Sequence, residues 1–184
     1  MLGLFALPLF GGSIPYPNPG AIAPTNVFKA VATGNVTGYF YGSGAGDTDY
    51  IGMFNVTTST FSGWFFNNQT TAPGTSADFG PVSAGDALVF ELWDVSSGLH
   101  FASVPALSAD SINHAYATSF AGGGIPAGIY LGMEDLPLGQ YDLDYNDNQF
   151  VFQNVAATPE PGTLAMLGSG ILGLAGVVRR KISH

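Results

Sequence analysis

Between residues 27 and 156 the chain is cut into short apolar or β-branched runs, each closed by Gly, Asn, Asp or Pro. The runs are 27–32, 36–41, 50–56, 61–66, 87–94, 99–104, 114–120, 128–134 and 149–155. In the fifth, Leu88, Phe90 and Leu92 alternate with Ala87, Val89 and Glu91, the period-two pattern of a half-buried strand. Punctuation is dense, with 26 Gly and 12 Pro, while only 9% of residues are charged. That composition argues against an all-α protein and against a helix-rich α/β enzyme. Many short strands joined by tight turns predict an all-β fold, a single antiparallel β-sandwich of jelly-roll-like type. Apolar residues at 46% are enough to fill its core, with aromatics as the main filling.

The net charge of −9 is unevenly placed. Arg179, Arg180 and Lys181 lie at the extreme C-terminus, so Lys29 is the only base upstream, against thirteen carboxylates. A body so acidic cannot neutralise phosphates, which excludes nucleic acid as a partner. With no Cys there are no disulfides, thiolate metal sites or Cys nucleophiles.

The chemistry concentrates in residues 134–147, EDLPLGQYDLDYND. Glu134, Asp135, Asp142, Asp144 and Asp147 crowd together there with no base among them. If runs 128–134 and 149–155 are hairpin neighbours, these acids gather at one end of the pair. Asp142, Asp144 and Asn146 fall at i, i+2 and i+4, so an extended chain would point all three to one side. Converging carboxylates repel unless protonated, hydrated or bridged by a cation, and hard oxygens at this density suit Ca²⁺. The expected metal ligands are therefore Glu134, Asp135, Asp142, Asp144, Asn146 and Asp147. The segment is not an EF-hand, because Asp147 stands where Gly is needed and Gln153 where Glu is needed. The competing reading is that Asp and Asn cap turns through their own backbone. Asp47-Thr48-Asp49, after a Gly-rich stretch, reads as a plain turn.

No enzyme signature stands out. There is no His-Glu-x-x-His, no P-loop and no Gly-x-Ser-x-Gly, and no dinucleotide fingerprint set between a strand-like run and a helix. His100 and His114 sit in strand-like runs; a catalytic role would require a cleft holding one of them with a carboxylate in reach. The expectation is a non-catalytic protein with no catalytic and no cofactor-binding residues.

At the C-terminus Pro159-Glu160-Pro161 is followed by the uncharged stretch 162–178 and then Arg179-Arg180-Lys181. As a helix that stretch would span roughly 25 Å, slightly short of a hydrocarbon core. The basic cluster would keep its end cytoplasmic. This three-part order resembles the PEP-CTERM sorting signal of exported bacterial proteins. The resemblance implies recognition by a membrane-embedded exosortase through Pro159, Glu160, Pro161, Arg179 and Arg180. It also implies a transient inner-membrane anchor, then a cell-surface or extracellular location with exopolysaccharide nearby. Thr158 stands where Val or Ile is common in that family. Residues 1–12 read as the remnant of a signal-peptide apolar core, or as part of the fold, and 13–26 as a Pro-rich linker. The sandwich is expected over 27–156 and the sorting tail, with a hydrophobic helix, over 157–184.

The acidic block also resembles the end of a domain of unknown function found in exported bacterial proteins. Gly132-Met133-Glu134-Asp135-Leu136, Asp142-Leu143-Asp144-Tyr145-Asn146-Asp147 and Phe150-Val151-Phe152 carry that likeness. It implies a β-sandwich ending in a metal-binding hairpin, with Asn148 in place of the usual hydrophobic residue. Two functions remain open. One is a surface or matrix protein with a cation-binding hairpin. The other is a carbohydrate-binding module using Trp64, Trp93 or Tyr side chains on exopolysaccharide.

Overall fold

Period-two alternation assigns one face of each strand to the interior, and two sheets close over those faces. A computed structural model describes residues 14–140 and 142–160 of the chain. The strands are β1 (Asn26–Ala30), β2 (Gly34–Ser43), β3 (Asp49–Asn55), β4 (Thr60–Phe65), β5 (Ser76–Val82), β6 (Ala87–Asp94), β7 (Leu99–Ala102), β8 (Ala115–Phe120), β9 (Gly128–Met133), β10 (Asn148–Gln153) and β11 (Val155–Pro159). A 3₁₀ turn, Pro105–Leu107, is the only helical element among the described residues. One sheet runs β11-β1-β6-β3-β4, with β7 pairing beside β6; the other runs β5-β2-β10-β9-β8. All pairings are antiparallel. Hairpins β3–β4, β6–β7, β8–β9 and β9–β10 stay within a sheet, and the other connections cross between the two.

The core lies between the sheets. Phe28, Ile51, Met53, Leu88, Phe90 and Leu92 from the first sheet meet Val36, Phe40, Phe79, Leu131, Phe150 and Phe152 from the second. The rings of Phe90 and Phe152 sit 4.2 Å apart, centroid to centroid. Burying each such side chain contributes about 1.5–3 kcal/mol, so this aromatic interior holds the sheets face to face. Tyr41, Tyr130, Val151 and Ile125 form a second cluster on the outer side of the β5–β8 sheet, where Ile14 packs.

Two strands were hidden in the sequence. Strand β5 holds Gly80 and Pro81 and lacks an apolar run, and it is an edge strand, where the missing Pro donor is tolerated. The run 149–155 is two strands rather than one. Asn154 takes φ +63° between them, and the chain changes sheets there, from β10 to β11. Strand β10 begins at Asn148 itself.

The Pro-rich stretch expected as a linker is packed on the sandwich. Tyr16 and Ala23 are buried beside Tyr145, and the Ala23 N–H donates to the Tyr145 hydroxyl at 2.8 Å. The expected signal remnant, the hydrophobic helix after Pro161, and Pro161, Arg179 and Arg180 lie outside the described residues. No helix among the described residues is long and apolar enough to cross a membrane.

Candidate metal centre

The β9–β10 hairpin brings the acidic block to one end of the sandwich. Glu134 and Asp135 follow β9 directly, and Asp142, Asp144, Asn146 and Asp147 lead into β10. The chain between the acids is not extended. Leu143 and Tyr145 adopt φ +58° and +56°, left-handed conformations costing about 1–2 kcal/mol each for residues with a Cβ. This kinked path, rather than side-chain alternation, brings the acids together. Carboxylate oxygens of Glu134, Asp142 and Asp144 all lie within 4.8 Å of one another.

Tyr145 fixes the loop. Its N–H donates to Glu134 Oε1 at 2.5 Å, and its buried hydroxyl donates to the Asn113 carbonyl at 3.2 Å while accepting from Ala23. Its carbonyl occupies the space above Gly132, where a Cβ would lie 2.2 Å away. Glu134 is 1% exposed, and its second oxygen, Oε2, has no hydrogen-bond partner among the described residues.

The six expected ligands separate into distinct roles. Glu134, Asp142 and Asp144 converge. Asn146 is drawn off: its Nδ2 donates to Asp144 Oδ2, and its carbonyl accepts from Gly44 N–H at 3.1 Å and Gln149 Nε2 at 2.9 Å. Asp147 Oδ2 accepts the Asp135 N–H at 3.3 Å, and the Asp135 carboxyl lies within reach of both Asp147 and Asp49. Asp49, read from sequence as part of a turn, is fully buried at the head of β3. Its sequence signal was phase: Asp49, Ile51 and Met53 share the inward face, as do Asn148, Phe150 and Phe152.

Among the described residues no Lys or Arg compensates these acids. Lys29, the only Lys or Arg among the described residues, is exposed on β1. Burial pushes Glu134 up to about 8, aided by Asp147, Asp142 and Asp144 and opposed by the Tyr145 N–H. Burial pushes Asp135 up to about 9, with Asp147 and Asp49 adding to the rise. Asp144 and Asp147 are also raised, first by burial. Such a donor set fits a hard divalent cation, which would replace the protons otherwise needed to keep the acids together.

A second feature covers the outer face of the β3–β4–β6–β7 region. Phe61 meets Trp64 at 4.9 Å, Trp64 meets Trp93 at 5.6 Å, and Trp93 meets Tyr50 at 6.1 Å between centroids. His100 stacks on Trp93 with planes 12° apart, and its Nδ1 lies 2.7 Å from Glu91 Oε1. Both Trp side chains are half-buried, and Phe61 is exposed. Phe61 also borders a groove of about 390 Å³ lined by Asn55, Thr58, Thr60, Ser62 and Asp78.

His114 is buried, with Nε2 3.0 Å from Asp110 Oδ1 and Nδ1 3.2 Å from the Glu134 carbonyl. Both histidines thus have carboxylate partners. The groove at Phe61 and a smaller cavity beside Tyr16 and Tyr116 are lined by other residues.

Residues 157–181 match the family model described as the PEP-CTERM protein-sorting motif, a match that starts within β11. No curated protein and no solved structure matches the chain. The chain carries a PEP-CTERM sorting motif in its C-terminal region, and that motif implies an exported protein processed by exosortase.

Proposed function

We propose that this is a non-catalytic surface or matrix protein, a β-sandwich whose β9–β10 hairpin holds Ca²⁺ through Glu134, Asp142 and Asp144. What supports the reading most is Glu134, whose buried Oε2 has no donor among the described residues and whose carboxylate lies within 4.8 Å of those of Asp142 and Asp144. A cation there removes the repulsion and lets the strained 142–147 path persist in the folded state. The sorting motif directs such a protein to the exterior, where Ca²⁺ is plentiful and extracellular modules bind it with Kd of about 10⁻⁴–10⁻³ M.

The test is a thermal melt of the full chain in mild detergent, with Ca²⁺ or with excess chelator. Free ion at about 100 Kd stabilises the native state by roughly 2.7 kcal/mol, a shift of several degrees. Glu134→Gln with Asp144→Asn should abolish it. Superimposed wild-type curves would overturn the cation reading.

A second reading, a carbohydrate-binding module, is favoured by the row Phe61–Trp64–Trp93–Tyr50 running to a groove where Asn55, Thr58, Thr60, Ser62 and Asp78 line the wall beside Met53, Phe79 and Pro81. Aromatic faces stack on the C–H faces of sugar rings, and the polar side chains in the groove would take their hydroxyls. Co-sedimentation with insoluble exopolysaccharide tests it. Retention lost in Trp64→Ala and Trp93→Ala supports it, and no retention of the wild type rejects it.

A further inference from the structure

Beyond the hairpin cation, we propose a second divalent-cation site, formed by Asp49, Asp135 and Asn148 with Asp147 behind them, that clips the two sheets together.

Asp49 opens β3 in one sheet, while Asp135 follows β9 and Asn148 opens β10 in the other. Asp49, Asp135 and Asn148 are all nearly or fully buried. Each has one side-chain oxygen with no hydrogen-bond partner among the described residues: Asp49 Oδ1, Asp135 Oδ2 and Asn148 Oδ1.

These oxygens are held, not loose. Asn148 Nδ2 donates to Asp49 Oδ2 at 2.8 Å, so the amide is oriented and its oxygen is left over. Asn68 Nδ2 donates to the same Asp49 Oδ2 at 3.0 Å, and Asn68 Oδ1 accepts the Asp49 N–H at 2.8 Å. The Asp135 carboxyl reaches both Asp49 and Asp147. Asp94, which faces Asp49 across the ladder, is used elsewhere, accepting from Ser96 N–H at 2.7 Å and from Ser97.

Leaving buried acceptors without donors is costly, about 1–3 kcal/mol each and more for charged groups. A shared proton supplies one donor for three acceptors. A divalent cation answers all three, since each is a hard oxygen, two of them carboxylate and one amide. Glu134, Asp142 and Asp144 do not contribute to this set, so the inference does not rest on the hairpin site.

The experiment counts Ca²⁺ bound to the full chain in mild detergent by equilibrium dialysis, at physiological ionic strength and saturating free Ca²⁺. Two equivalents are expected for the wild type. Asp49→Asn and, as a second variant, Asp135→Asn should each retain one equivalent. Glu134→Gln with Asp144→Asn should also retain one. Circular dichroism confirms that each variant is folded. One wild-type equivalent that survives Asp49→Asn but is lost in Glu134→Gln with Asp144→Asn overturns the second site and leaves the hairpin site standing. One equivalent with the opposite pattern upholds the second site and removes the first. No bound ion overturns both.

Discussion

The carbonyl oxygen of Tyr145 occupies the position that any side chain on Gly132 would need, 2.2 Å from where a Cβ would sit. Gly132 is thus the floor on which the acidic loop rests. Gly132→Ala should displace the loop, lower stability by about 1–3 kcal/mol or more in urea unfolding, and weaken the Ca²⁺-dependent shift. Gly42→Ala, where a Cβ meets nothing within 4 Å, is the control and should change little.

Acidity should stabilise the cation-free protein and leave the cation-bound protein nearly unchanged. Glu134 and Asp135 are raised in the folded state, to about 8 and about 9, so the native chain holds protons that the unfolded chain has already released. Stability in chelator therefore falls as pH rises from about 5 through 9, because the native state binds more protons. With Ca²⁺ the acids are ionised and paired, and the melting temperature should stay nearly flat over that range. Melts in chelator that instead strengthen with rising pH would contradict this.

Asn154 turns the chain from one sheet to the other in the left-handed region, and its side chain bonds Ala32 N–H at 2.8 Å and Ala32 O at 2.9 Å. Asn154→Ala loses these bonds and the one that Nδ2 donates to the Asn35 carbonyl at 3.3 Å, keeps the strained angle, and should cost about 1–3 kcal/mol in urea unfolding. Asn154→Gly loses the bonds alone and should cost less.

The two aromatic populations should separate on mutation. Phe90→Ala opens a cavity against Phe152 and should cost about 3–5 kcal/mol. Trp93→Ala, on the half-buried outer face, should cost less and leave the chain folded by circular dichroism. It should also remove the stacking partner of His100.

Much of the sandwich could be read because alternation is a local signal. Leu88, Phe90 and Leu92 announce their face without help from the rest of the chain. Strand β5 could not be read, since an edge strand needs neither an apolar run nor a full set of donors, and Pro81 argues against a strand wherever only local pattern is available. The acidic hairpin was legible as a cluster, but its division was not. Whether Asp135 turns toward Glu134 or toward Asp49 depends on a contact between residues far apart in sequence. The clue that would have helped was Asp49 in phase with Ile51 and Met53, a charged residue on the inward face.

The last strand has a double allegiance. Pro159 faces Asn26 across the β1–β11 ladder, and the Glu160 N–H donates to the Thr25 carbonyl at 3.0 Å. Two residues of the Pro159-Glu160-Pro161 signature are therefore stitched into the sheet margin. Address and cargo share a seam: an enzyme that needed the backbone of Pro159 or Glu160 would have to open that edge of the sheet or meet the chain before β11 pairs with β1.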